Sequence, residues 1–174
     1  KLRPNRVKHK LERGEVATVL MGEMTPDLVE SFGPLGFDGI WIEGEHGPIS
    51  WERIGDISRA CDLWEMASLV RVHRNDPSLV TRALDRGASG LMVPHVDTRE
   101  QTELFARSVR FGPLGNRGQF GGRRSIGVDD YHRKANENIL AIPLLEDIEA
   151  VRNIADIVKV DGIDVFYVAP GDLA

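Results

Sequence analysis

Three groups of residues in this sequence have the types and spacing to do chemistry. The first is the run IEGEHGP, in which Glu43 and Glu45 flank a glycine and precede His46. An imidazole at the end of a strand is well placed to move a proton, and a neighbouring carboxylate can fix its tautomer and raise its basicity. His46 is therefore the candidate base, with Glu43 as its orienting partner. The competing reading is an exposed polar loop.

The second is Arg71 in LVRVHRNDP. Its forked guanidinium suits a carboxylate or a developing enolate, although a strand-end arginine also serves as a surface ion-pair partner. The third is the pair Glu146, in IPLLEDIE, and Asp172, in VAPGDLA. They lie about one βα unit apart, and adjacent parallel strands run about 4.8 Å from each other. Two carboxylates with open positions suit a hard cation such as Mg²⁺ or Mn²⁺, with Co²⁺ possible, the remaining ligands being water and substrate oxygens. The bland alternative is an acidic residue at each of two helix N-termini. His73, His95 and His132 have no partner spacing and read as loop or helix-surface residues. The glycines between Gly112 and Gly122 lack the strand-turn-helix frame of a nucleotide-binding loop.

These residues need elements to hold them. β-rich runs at Val16–Met21, Gly39–Ile42, Ala67–Val72, Gly90–Val93, Ile139–Leu145 and Asp164–Val168 alternate with helical spacing at Asp27–Phe32, Trp51–Leu63, Pro77–Arg86, Arg99–Arg110 and Ile148–Val158. Strict βα alternation implies a parallel sheet, either doubly wound or closed into a barrel. Several strands end in a charged or polar residue near Gly or Pro, at Glu43, Arg71, Pro94, Glu146 and Pro170. In a barrel all of these ends open on one face, so the expectation is a TIM (β/α)8 barrel of which about six βα units are present. Residues 1–174 form one partial domain in this reading, with the C-terminal strands and helices lying beyond it. Between Arg110 and Asn138 a glycine-rich excursion reads as a mobile loop of the lid type, followed by a short helix over Asp129–Asn136.

Composition narrows the partners. The chain has 174 residues, 41% hydrophobic and 28% charged, with a net charge of -5; its basic residues are scattered, which argues against nucleic acid. No run approaches the roughly 18 apolar residues of a membrane span, and the single Cys61 falls in a helix expected to face the core. A cytoplasmic protein with a small-molecule partner is expected.

The segments GFDGIWIEGEHGP, LVRVHRNDP, GASGLMVPHVDTREQ, RFGPLGNRG and PLLEDIEAVRNIADIVKVDGIDVFYVAPGDL resemble, in this order, the HpcH/HpaI aldolase family. The resemblance implies a class II, divalent-metal aldolase that cleaves a 4-hydroxy-2-oxoacid to pyruvate and an aldehyde through a pyruvate enolate. It implies Glu146 and Asp172 as metal ligands, His46 in the acid/base machinery, Arg71 on the pyruvate moiety, and a homo-oligomer exchanging its C-terminal helix. Related readings are an enolate-forming lyase, an oxaloacetate decarboxylase, or a non-catalytic oligomeric barrel. No Schiff-base lysine is expected, since Lys134 and Lys159 lie in helical or loop contexts. Two departures from the family pattern are Glu43, where Asp is usual, and Leu144, where many relatives carry Gln.

Overall fold

The computed structural model describes residues 1–173. Six strands, β1 (Val19–Met21), β2 (Gly39–Glu43), β3 (Ala67–Arg71), β4 (Gly90–Val93), β5 (Leu140–Leu145) and β6 (Tyr167–Val168), form one all-parallel sheet in sequence order. It curls into a half-barrel with its helices outside. The sequential order excludes the doubly wound alternative, in which the strand order reverses at a switch point.

Local chemistry explains the helices. Of these, α2 (Pro26–Phe32), α3 (Trp51–Leu63), α4 (Pro77–Asp85) and α5 (Arg99–Ser108) each start at a side-chain cap, from Thr25, Ser50, Asp76 and Thr98. Each cap satisfies an otherwise unpaired first-turn N–H. Thr98 and Gln101 complete a reciprocal capping box. The faces that these helices bury, with Ile54, Ile57, Cys61, Val80, Leu84 and Phe105, pack on the outward side chains Ile40, Ile42, Val70, Leu91 and Val93 of the sheet.

The inward side chains form a second cluster: Trp41 on β2, Leu69 on β3, Met92 on β4, and Leu140, Ile142 and Leu144 on β5. Successive strand residues alternate in direction, so the next inward position after Trp41 is Glu43, after Leu69 is Arg71, and after Leu144 is Glu146. The charged residues crown apolar columns. Leu144 itself is fully buried in this inner cluster. A cavity of about 500 Å³ lies along the concave face, lined by Trp41, Leu69, Met92, Ile142 and Tyr167 among others.

Strands β1 and β6 each begin three residues later than expected, and other segments differ as well. Helix α1 (Arg6–Glu12) precedes the first strand; its weakly apolar, basic sequence gives no periodic signal, but Asn5 caps it and Lys8 reaches the Ile139 carbonyl and Asp164. The segment expected as one helix over Ile148–Val158 breaks at Asn153 into α7 (Ile148–Arg152) and α8 (Ile154–Ile157), and the Asn153 side chain donates to the Asp97 carbonyl and to Glu149. The short helix expected over Asp129–Asn136 is α6 (Tyr131–Asn138).

The glycine-rich excursion also departs from expectation. It joins a helix to the next strand, so it lies at the end of the sheet opposite the strand C-termini, where it does not cover the charged crown. There Arg123 and Arg124 hold the part-buried Asp62 at the end of α3, and Arg117 holds Asp85 at the end of α4. Gly122, at φ +59°, lies so close to the Asp85 backbone that a Cβ would collide with it.

Candidate active site

The C-terminal strand ends bring β2, β3, β4 and β5 together. Glu43 and Arg71 occupy the same register position on neighbouring strands, and Arg71 Nη2 and Nε lie 2.7 and 2.8 Å from Glu43 Oε2. The indole of Trp41 donates to the same oxygen at 3.1 Å. Glu43 Oε1 accepts from the backbone N–H groups of Glu45 (2.7 Å) and His46 (3.1 Å). Burial pushes the Glu43 carboxyl up, but these donors, Arg71 foremost, outweigh it and hold the group below the usual carboxylate range. Glu45 takes the other arm of Arg71, Nη1 to Oε2, at 3.1 Å.

Glu43 therefore fixes Arg71 and the loop backbone, and its contact with His46 is to the main chain. The imidazole of His46 is 75% exposed and has Glu45 Oε2 3.7 Å from Nε2. The orienting carboxylate expected for His46 is thus replaced by Glu45. The loop can take this course because Gly44 approaches the Arg71 carbonyl, donating to it at 2.9 Å, where a Cβ would collide.

On the other side, Glu146 is 3% exposed just beyond β5. Its Oε1 accepts the backbone N–H of His95 at 2.8 Å. His95 follows β4 with φ +51°, an uncommon conformation for a side chain larger than glycine. Its Nδ1 lies 2.7 Å from Asp147 Oδ2 and 3.6 Å from Glu146 Oε1. The Asp147 hydrogen bond, against a smaller effect of burial and with further help from the charges of Glu146, Asp147 and Glu45, raises the imidazole pKa above its ordinary value. Asp97, beside Asp147, is raised by burial and by that neighbour's charge.

Asp172 lies in the short helix α9 (Pro170–Leu173) that follows β6, and the Ala169 N–H still bonds the Leu145 carbonyl. Among the described residues no group of three or more His, Cys, Asp or Glu side chains is placed to hold a metal. Two carboxylates do fit a hard cation whose other ligands are water and substrate, and the hydrogen bond to Glu146 engages Oε1. The surroundings favour added positive charge: Glu43, Glu45, Glu146 and Asp147 crowd this end with Arg71 as the fixed cation.

Sequence reasoning gave no role to His95 and Asp147. A signal was present, since VPH closes β4 as LLED closes β5, but the link runs between residues 52 apart through a left-handed turn. Lys134 falls in α6 and Lys159 just after α8, away from the strand ends.

The chain is 32% identical over 168 residues to the 2-dehydro-3,6-dideoxy-6-sulfogluconate aldolase of Pseudomonas putida, covering 95% of this chain and 66% of the relative. It is 39% identical over 152 residues to the 4-hydroxy-2-oxovalerate aldolase of Novosphingobium aromaticivorans, covering 86% and 58%. The crystal structure of a family protein from Burkholderia cenocepacia superposes with a TM-score of 0.90 at 30% identity, over 98% of this chain and 70% of that one. The citrate synthase SbnG superposes with a TM-score of 0.86 at 31% identity, over 97% and 66%. The model of the HpcH/HpaI aldolase/citrate lyase family matches residues 19–174, and the chain belongs to that family.

Proposed function

We propose that the protein is a pyruvate-type aldolase, cleaving a 4-hydroxy-2-oxoacid into pyruvate and an aldehyde with a divalent cation held by Glu146 and Asp172. The observation that carries this reading is the convergence of Arg71, clamped by two glutamates, and the buried Glu146 on one open strand end. Mg²⁺, Mn²⁺ or Co²⁺ at the two carboxylates would supply Lewis acidity toward the 2-keto oxygen.

The residues of the chain do the rest. Arg71 uses Nε, Nη1 and Nη2 once each on Glu43 and Glu45, so each terminal nitrogen keeps an N–H for the 2-oxoacid carboxylate or the enolate oxygen. The clamp pre-orients the guanidinium, and this speeds cleavage to the extent that the enolate is bound better than the ketone. His46, on an exposed loop with Glu45 beside it, takes the 4-hydroxyl proton as the C3–C4 bond breaks. The same reading carries self-association, with a terminal helix exchanged between subunits.

A coupled pyruvate assay over a panel of 4-hydroxy-2-oxoacids, with added Mn²⁺ and with chelator, tests the function. Metal-dependent pyruvate release is expected; metal-loaded protein inert toward the whole panel overturns the reading. The likeness to a citrate synthase favours one second reading, condensation of an enolate with a keto acid, and a separate incubation with oxaloacetate and an acetyl thioester, read out as citrate formed, detects it.

A further inference from the structure

Trp41 stands on β2 one inward position below Glu43, in the layer beneath the charged crown, and has no part in the cleavage steps above. It is 7% exposed and holds Arg71 in two ways, once through the carboxylate and once directly. Its indole Nε1 donates to Glu43 Oε2 at 3.1 Å, the oxygen that also accepts from Arg71 Nη2 at 2.7 Å and Nε at 2.8 Å. Arg71 Cζ lies over the Trp41 ring, 5.4 Å from its centroid, within reach of a cation–π attraction. The ring is itself braced: Tyr167 meets it edge-on, with centroids 5.2 Å apart and planes at 75°. Tyr167 pairs in register with the inward Leu144, so the brace comes from β6, the strand that leads into the helix carrying Asp172.

Resting on the aldolase reading, we infer that Trp41 is a positioning residue for the cleavage: it fixes the plane of the Arg71 guanidinium, and so the direction of the N–H groups left for the substrate, through Glu43 and through its ring face. The need for such a hold follows from the clamp. Two parallel hydrogen bonds to both oxygens of one carboxylate fix a guanidinium in the carboxylate plane, but here both nitrogens converge on Oε2, and Oε1 is spent on the loop backbone. A fork held at a single oxygen can pivot about it. Glu45 restrains one arm at 3.1 Å, and the Trp41 ring restrains the face. The indole N–H also holds Oε2 itself in place, and the other inward side chains of this layer, Leu69, Met92 and Leu144, have no donor to replace it. A residue that served only to fill the core would need the ring and not the N–H.

The test is a double-mutant cycle read by pyruvate release from a 4-hydroxy-2-oxoacid. Trp41→Phe keeps a ring in the layer and removes the indole N–H. It is expected to lower kcat/KM about tenfold, the size of a hydrogen bond to a charged acceptor. The loss is expected mainly in kcat, because misaimed N–H groups forfeit the enolate more than the ketone. In an Arg71→Lys background the same change is expected to cost less than about twofold, since an ammonium has no plane to fix. The contact is also read without turnover. The protein has three tryptophans, Trp41, Trp51 and Trp64, and the indole N–H resonance that disappears in Trp41→Phe is expected to shift in Glu43→Gln while the other two stay. A wild-type kcat/KM in Trp41→Phe, or an equal loss in both backgrounds as a merely structural role would give, overturns the inference and leaves the aldolase reading standing. An indole resonance unmoved by Glu43→Gln also overturns it. A wild-type protein that releases pyruvate from no 2-oxoacid overturns the aldolase reading and the inference with it.

Discussion

Arg71 meets Glu43 through two nitrogens on one carboxylate oxygen, Nη2 at 2.7 Å and Nε at 2.8 Å, while the other oxygen of Glu43 is spent on the loop backbone. The pair does two jobs at once, fixing the guanidinium and turning the chain toward His46. It is partly shielded, with side-chain exposures of 13% and 16%, so removing one partner leaves a poorly solvated charge.

Glu43→Gln is therefore expected to destabilise the protein by about 1–2 kcal/mol at pH 7, less than a fully buried pair because water still reaches it. The folded-state pKa of Glu43 lies below its unfolded value. Its contribution is thus present above the ordinary carboxylate pKa and is lost as pH falls through the lower folded value. Urea denaturation of both proteins from pH 7 downward measures this, and a stability gap that grows on acidification contradicts the assignment.

Arg71→Lys is expected to lower kcat/KM by about a hundredfold or more for every substrate, because a point ammonium cannot hold Glu43, Glu45 and a substrate oxygen in one plane. The corresponding loss of transition-state stabilisation is roughly 2.7 kcal/mol. Activity within twofold of wild type would remove Arg71 from the reacting centre.

Glu146→Gln and Asp172→Asn each delete one of the two proposed anionic ligands. Both are expected to weaken Mn²⁺ binding severely in calorimetric titration and to abolish metal-dependent pyruvate release, with the far-ultraviolet circular dichroism spectrum unchanged. Glu146→Gln can still accept from the His95 N–H, so its fold in particular is expected to survive. Wild-type Mn²⁺ affinity in both variants removes the proposed cation site.

The strands and their crowning charges were legible because two periodicities do not compete here: β-rich runs of four to seven residues alternate with helical spacing, and the runs at β2, β3 and β5 lead into a charged residue that the inward column carries to the open end. Glu43, Arg71 and Glu146 follow from that alternation alone. The partners did not follow. Glu43 was expected to serve His46, yet Arg71 sits opposite it in register, and a pairing between strands is invisible until their stagger is known. His95 escaped for a related reason: its placement depends on a left-handed backbone at one residue and on Asp147, 52 positions later. The glycine-rich excursion was misjudged as a lid because its composition signals a loop but not its end of the sheet. Connectivity decides that, since a helix-to-strand connection returns to the strand N-termini.

Cys61 gives a check on the core. It is fully buried on α3, and burial, aided by the charge of Asp62, pushes its thiol up to about 12. The thiolate is the reactive form, so native protein is expected to resist iodoacetamide at pH 8 and to be labelled promptly in denaturant. Rapid labelling of the native protein would show that α3 does not pack as described.

The anchored excursion makes the last expectation. Asp62, its side chain 7% exposed, has Arg3, Arg123 and Arg124 around it, at 3.4, 2.6 and 3.5 Å. Replacing it by alanine leaves Arg124, buried on its own account, without its carboxylate and frees the segment between α5 and α6. Asp62→Ala is expected to cost about 3 kcal/mol of stability, in the range for breaking a buried ion pair. It is also expected to expose the chain to trypsin at Arg117, Arg123 and Arg124, while Mn²⁺ affinity stays within about twofold, because the excursion lies at the far end of the sheet from Glu146. A lid would behave in the opposite way, with metal and substrate binding changing first and stability little. Limited proteolysis, followed by mass spectrometry and by calorimetry of the intact variant, separates the two.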